Sequence, residues 1–495
     1  MSEPPPTPAL PLGVNLAGYL DATVGIGEAA RHVGAALRAA GVAVVPLVLD
    51  CNAPRELGLV VSGEPVHPIT IACVNPEGMT GARDQFPAAF EDPHVVGLWW
   101  WEVGTLPQRW LRAFDLVDEL WTGSRFVADA LAAISPVPVV RVALPVPEPV
   151  AAPIGRAQLG LSDGFAFGFV YDYASVAGRK NPLGLIAAFR RAFGSDAGDV
   201  GLVLKTLGGS DRAFAAEHRE VLDAAAEDPR ITVIDANMPA AEKNALIREL
   251  DCYVSLHRSE GFGLTLAEAM LLGTPLIATD YGGSRDFVSA FNALLVDHRP
   301  VAIGPGHEPY PAGGEWAEPD LDHAAARMRE AYEQRDELRA RAARARADVL
   351  ARHAPQVAGR AMADRLARVL TAPADGLGRV GALDLAGVRE RMARAPGSGD
   401  GAAPRAGRGA GSGAGSRAGA KAGAGARGGP RAALRDAALR AMRPYTVHQR
   451  LVDEELLRAL QTLDERVRGV AAGQQILAAE LARLRREGDD DAGGS

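Results

Sequence analysis

Apolar residues in this chain come in short unbroken runs, separated by stretches in which they recur every three or four positions. Residues 14–19, 42–49, 69–74, 95–101 and 137–142 have the length and composition of buried strands. Between them, residues 28–40, 106–116 and 124–133 show helical spacing, and Gly41 closes the first of these. Pro136, Pro138, Pro145, Pro147, Pro149 and Pro153 then stiffen a connection that reads as a domain boundary. Alternation resumes with apolar runs at 165–171, 200–205, 231–234, 252–256, 275–278 and 293–296, interleaved with helical patterns at 183–193, 213–226, 241–250 and 265–272. A strand buried on both faces has no polar alternation, so such runs among helices predict parallel sheets covered on both sides. The expected fold class is α/β, with two doubly wound Rossmann-like domains, 13–150 and 151–372, facing a cleft. Helical stretches at 324–350 and 357–370 close the second domain.

The ends of the chain read differently. Residues 1–12 are Pro-rich and without pattern, an expected disordered N-terminus lacking the cationic and apolar regions of a secretory signal. Residues 373–431 become almost entirely Gly, Ala, Ser and Arg, too poor in apolar surface to offset their ordering entropy, and are expected to form a disordered basic linker. Within 432–487, Leu456, Leu460, Leu463, Val467, Val470, Gln474, Leu477, Leu481 and Leu484 follow a 4,3 spacing, the seam of a coiled-coil helix that would make a homodimer or dock a partner.

Composition narrows the class. No run reaches the ~18–20 apolar residues of a membrane span. Three cysteines without paired spacing, Cys51, Cys73 and Cys252, fit a reducing compartment, so a cytoplasmic protein is expected. The net charge of −8 hides an imbalance, because residues 376–450 carry 14 Lys and Arg against four acids. That stretch could hold the chain peripherally at an anionic membrane surface, or simply act as a solubilising linker. Ten histidines form no ligand cluster. No metal, no cofactor and no nucleic-acid partner are expected.

The chemistry concentrates in residues 259–268, Ser-Glu-Gly-Phe-Gly-Leu-Thr-Leu-Ala-Glu, which follow a predicted strand and open a predicted helix. A doubly wound sheet presents its ligands there. Glu260 and Glu268 can each accept hydrogen bonds from paired hydroxyls. Gly261 and Gly263 admit a ligand close to the backbone, and the free N–H groups at the helix start, through Phe262, Leu264 and Thr265, favour an anion. Arg179 and Lys180 open the helix after the second domain's first strand, where fixed cations would stabilise a departing phosphate. In the first domain, Gly25-Ile26-Gly27-Glu28-Ala29-Ala30 reads GxGxxA ahead of a helix, with Asp50 ending the next strand. Trp99-Trp100-Trp101-Glu102 ends another strand; Trp100 and Glu102 are candidates for the acceptor side of the cleft, and Trp99 and Trp101 for the core.

Glu260 and Glu268, with seven residues between them, match the E-x7-E motif, and the chain over residues 13–370 resembles family 4 of the retaining GT-B glycosyltransferases. The resemblance implies that Glu268 binds the ribose of a nucleotide-sugar donor, such as GDP-mannose or a UDP-sugar. It places Glu260 near the anomeric carbon and Lys180 on the diphosphate. Many members carry the partner arginine where this chain has Ala174, which leaves Arg179 as the substitute. Gly25 and Gly27 would lie near the donor phosphate or the acceptor. The resemblance implies metal-independent transfer to a saccharide or lipid-linked acceptor, in cell-envelope polysaccharide synthesis. Two alternatives stay open: an NAD-dependent oxidoreductase using the GxGxxA segment, and a non-catalytic sugar-binding scaffold.

Overall fold

The computed structural model describes residues 12–22, 24–51, 62–194 and 199–371. The N-terminal stretch up to residue 11, the basic linker and the heptad helix lie outside the described residues, and with them the dimer and membrane expectations. The first lobe runs β1 (Gly13–Gly18), α1 (Gly25–Ala39), β2 (Ala43–Val48), β3 (Ile69–Cys73), α2 (Pro76–Gln85), α3 (Ala88–Glu91), β4 (His94–Leu98), β5 (Glu119–Thr122), α4 (Arg125–Ala132) and β6 (Val139–Arg141). Its six strands are all parallel, in the order β2-β1-β3-β4-β5-β6.

The second lobe runs β7 (Phe165–Asp172), α5 (Ala177–Lys180), α6 (Pro182–Phe193), β8 (Val200–Leu207), α7 (Ala215–Ala226), β9 (Ile231–Asp235), α8 (Ala240–Glu249), β10 (Cys252–Ser255), α9 (Leu264–Leu271), β11 (Leu276–Thr279) and β12 (Leu294–Val296). Its strands are again all parallel, ordered β12-β11-β10-β7-β8-β9. An antiparallel hairpin, β13 (His298–Ala302) with β14 (Glu315–Pro319), follows. Three helices finish the described chain: α10 (Leu321–Glu333), α11 (Arg335–His353) and α12 (Pro355–Thr371).

The apolar runs fill the core as their pattern requires. Phe165, Phe167 and Phe169 of β7 are buried beside Phe189 and Phe193 of α6. Each such ring contributes about 1.5–3 kcal/mol of burial. Strand order reverses between β1 and β3 in one lobe and between β7 and β10 in the other. Crevices outside the carboxyl ends of the strands at such reversals are where doubly wound sheets bind ligands. Both crevices open on the same cleft.

Several elements depart from the sequence reading. Residues 106–116 form 3₁₀ turns over Gln108–Leu116, and the helical stretch 324–350 breaks at Gln334 into α10 and α11. Helix α2, strand β5 and the β13–β14 hairpin went unread. Strand β5 begins on an acid: Glu119 is 1% exposed, accepts from the Trp121 indole at 2.5 Å, and pairs with both Nε (3.0 Å) and Nη2 of Arg365. Arg365 lies on α12, which crosses back to pack on α1 of the first lobe. Arg365→Met leaves Glu119 buried with only the indole as partner, and unpairing a buried charge costs about 3 kcal/mol. Urea unfolding of that variant should show this loss, and an unchanged midpoint would mean that the pair does not hold α12 in place.

Candidate active site

The cleft holds a cavity of about 470 Å³. That is the size of a small-molecule site. The first lobe lines it with the segment after β1 (Val24, Gly25, Glu28), Asn75 after β3, and Trp100 and Glu102 after β4. The second lobe supplies Asp172 through Lys180 after β7, and Glu260 through Glu268 after β10.

At one end a single buried carboxylate holds two cations. Glu260 Oε2 lies 3.1 Å from Arg179 Nη1, and its Oε1 lies 2.5 Å from Lys180 Nζ. Arg179 is further fixed by donating from Nη1 to the Ser259 carbonyl at 2.7 Å and from Nε to the Ser175 carbonyl at 3.1 Å. The chain reaches this geometry through a tight turn in which the β-branched Val176 sits at φ 64° and Asn181 at φ 59°. Left-handed backbone at a β-branched residue is strained, and it persists where surrounding contacts over-determine it. The Asn181 side chain caps α6 by accepting from Gly184 N and ties to the Leu256 carbonyl, which locks the turn against β10.

Burial opposes ionisation of Glu260, but Lys180 and Arg179 outweigh it and hold the carboxyl at about 2. Lys180 is pushed down by burial and by Arg179 beside it, against the pull of Glu260. Glu268 lies further along, on α9, where it meets Lys243 of α8 at 2.8 Å. Burial raises its pKa in spite of that lysine, and Glu28 of α1 adds to the rise.

Two glycines shape the loop between these acids. Gly263 caps α9 at φ 90°, a conformation that side chains resist. A Cβ on Gly261 would lie 2.7 Å from the Trp101 carbonyl, so this loop can pass so close to the first lobe only at glycine. There the lobes are stitched together. Ser124 Oγ donates to the Gly261 carbonyl at 2.6 Å, Ser259 Oγ donates to the Glu102 carbonyl, and Tyr310 Oη donates to Glu102 Oε2 at 3.0 Å.

Residues 173–302 match the family model described as glycosyl transferases group 1. Over that stretch the chain is similar to the group 1 glycosyl transferases. Three solved structures share its fold. Sucrose-phosphate synthase from Thermosynechococcus elongatus is 17% identical, covers 73% of this chain and 100% of its own, and has a TM-score of 0.55. HepE of Anabaena, in complex with UDP and glucose, is 15% identical over 72% of this chain and 99% of its own, with a TM-score of 0.53. A glycosyltransferase from Rickettsia africae ESF-5 is 12% identical over 73% and 99%, also at 0.53. At these identities the likeness is one of fold, and the fold is GT-B. No curated protein matches the sequence significantly.

In this cleft the residues singled out from the sequence converge with one exception. Arg179, Lys180, Glu260, Gly261, Phe262, Gly263, Leu264, Thr265, Glu268, Gly25, Trp100 and Glu102 all line the cavity. The Phe262 ring itself turns away, packing against Phe287 and His353. Trp99 and Trp101 are core, 1% and 2% exposed.

Gly27 is the exception. It lies inside α1, where a Cβ would come within 2.3 Å of the Tyr19 carbonyl, so it serves close packing and does not line the cavity. The GxGxxA segment is thus the first turn of a helix that starts only after residues 19–24. The tight strand-to-helix turn that a dinucleotide fingerprint needs is missing. Lys205, Lys243, Asp172, Glu28 and His32 also line the cavity and were not singled out, except Glu28 as part of GxGxxA. A lysine closing an apolar strand at its ligand end was the available signal for Lys205; nothing near Lys243 marks it.

The Glu260 carboxylate, held between Arg179 and Lys180, has a pH-dependent consequence. A carboxyl depressed to about 2 contributes stability that is complete above its ordinary value of 4.5 and is lost as pH falls towards 2. Glu260→Gln leaves two buried cations unpaired and should cost about 3–5 kcal/mol. In urea titrations that deficit should be constant from pH 5 to 7. A deficit that shrinks within this window would contradict the depressed value.

Proposed function

We propose that this protein is a retaining, metal-independent glycosyltransferase that moves a hexose from a nucleotide-sugar, GDP-mannose or a UDP-sugar, to a saccharide or lipid-linked saccharide acceptor. The observation that carries this reading is one cavity with Arg179 and Lys180 gathered at one end and a buried Glu268 at the other. The donor's ribose hydroxyls meet Glu268. Its diphosphate lies on Lys180 and Arg179, and its sugar faces Glu260. As the glycosidic bond breaks, the electron pair goes to the diphosphate oxygen, whose growing charge the two cations stabilise. The acceptor hydroxyl attacks from the same face and its proton passes to that departing oxygen, so no protein nucleophile is required. Glu260 is ionised at neutral pH and cannot act as an acid. It holds the cations and steadies positive charge developing at the anomeric carbon.

Among the described residues no group of three or more His, Cys, Asp or Glu gathers as a metal site. The cations at the diphosphate supply the charge that a divalent ion would otherwise bring. Trp100 and Glu102 form the acceptor side, with Glu102 held by Tyr310. A cytoplasmic place beside the envelope, with peripheral membrane contact through the basic stretch and dimerisation through the heptad helix, completes the reading. Among the described residues no helix is long and apolar enough to cross a membrane. The UDP in the HepE structure belongs to that protein, and it puts UDP-sugars first among donors to try.

A thermal-shift panel of UDP-, GDP- and ADP-sugars identifies the donor, and product analysis follows. With that donor, Glu268→Ala should mainly weaken donor binding, while Glu260→Ala should lower turnover more than affinity. Each effect should be ~10- to 100-fold, the size of one charge-assisted hydrogen bond. Activity should persist in EDTA and collapse in Lys180→Ala. Near-normal kinetics in both glutamate variants, or activity restored only by added Mn²⁺ or Mg²⁺, would remove this reading.

A further inference from the structure

Among the described residues one cation of the cavity has no partner. Arg179 and Lys180 share Glu260, and Lys243 is paired with Glu268. Lys205 is only 5% exposed and lines the cavity, yet its ammonium makes no hydrogen bond and no ion pair with any described residue. Its electrostatic neighbours are Lys243, Asp172 and Asp235. Both acids act on it only from beyond ion-pair distance and are tied to backbone N–H groups. Asp235 accepts from the Thr206 hydroxyl and from Gly209 N and Ser210 N, and Asp172 accepts from Ala174 N at 2.9 Å. Its ammonium instead opens onto the cavity, where it is a fixed positive charge with no protein anion within ion-pair distance among the described residues. A ligand that supplies the missing anion would account for its retention.

Charge and position say which anion. Glu260 is ionised, so it cancels one of the two cations it holds, and the Arg179–Lys180–Glu260 group presents one net positive charge. Lys243 and Glu268 cancel each other. Glu28, Glu102 and Asp172 also line the cavity, so the choice of anion rests on where the cations lie, and Lys205 is the one outside the two ion-paired groups. Strand β8 lies beside β7 on the side away from β10, with Lys205 in register with Val170. Asp172, at the end of β7, feels Lys180 and then Lys205, while Lys205 feels Lys243 most strongly among its charged neighbours. Lys205 therefore lines the same cavity as both groups, on the strand beside the one that leads to Arg179 and Lys180, within reach of a donor that spans them.

We propose that Lys205 is a third cation for the donor diphosphate, on the phosphate nearer the nucleoside. This rests on the nucleotide-sugar reading above. Arg179 and Lys180 stabilise the oxygen that departs from the sugar, and Lys205 anchors the other phosphate. It is a binding residue first, contributing to affinity for donor and nucleoside diphosphate product alike.

The test is calorimetric titration of the full chain with UDP, GDP, pyrophosphate, uridine and guanosine, in wild type, Lys205→Met and Lys205→Arg. Lys205→Met should weaken the nucleoside diphosphate that binds, and pyrophosphate, by ~10- to 100-fold. Nucleoside affinity should not change, and Lys205→Arg should keep most of the diphosphate affinity. Without ligand, Lys205→Met should unfold at the same or a higher temperature, because no ion pair or hydrogen bond of the ammonium is lost. A structural lysine would instead lower that midpoint in both variants and overturn the proposal. Equal losses for nucleoside and diphosphate would make Lys205 a reader of the base. Unchanged diphosphate affinity would leave it at most a contact to the sugar. If wild type binds none of the five probes, the nucleotide-sugar reading itself fails, and Lys205 with it.

Discussion

One carboxylate shared by two buried cations governs the ligand face of the second lobe. Glu260 reaches Arg179 and Lys180 from a loop after β10, while the cations come from a strained turn after β7, the strand beside it. Without Glu260, two buried like charges side by side would repel, and Lys180 would lose its proton more readily. With it, the cations are held at fixed positions before any ligand arrives. Electrostatic stabilisation is effective when the dipoles and charges need no reorganisation during reaction. In the proposed function, that ion group is set in advance for a developing negative charge.

The rest of the cleft depends on that loop staying where it is. Gly261 lies against the Trp101 backbone, Ser124 and Ser259 bridge the lobes, and Tyr310 carries the β13–β14 hairpin loop across to Glu102. Helix α12 returns to the first lobe and is anchored there by Arg365 on Glu119.

The sequence was most legible where chemistry is contiguous. Glu260 and Glu268 share one loop and helix, so their spacing alone marks them, and Arg179-Lys180 stand together at a helix start. The parallel sheets were legible because strands such as β7 are apolar throughout. Reading failed where a polar residue is satisfied from far away. Glu119 disguises β5 because its partner Arg365 lies 246 residues on. Lys243 and Glu268 meet only after α8 and α9 pack, and Tyr310 finds Glu102 across the cleft. Gly27 misled for the opposite reason, since a glycine that admits a ligand and one that admits a neighbouring carbonyl look alike in one dimension.

The central claim is that the leaving diphosphate, held by fixed cations, takes the acceptor's proton on the face it departs from. Water can stand in for the acceptor, so the most direct test is slow hydrolysis of the α-linked donor in EDTA. Proton NMR should follow the reducing sugar from its first appearance, before mutarotation. The α-anomer should form first, and Lys180→Ala should abolish its release. Initial release of the β-anomer would contradict same-face attack.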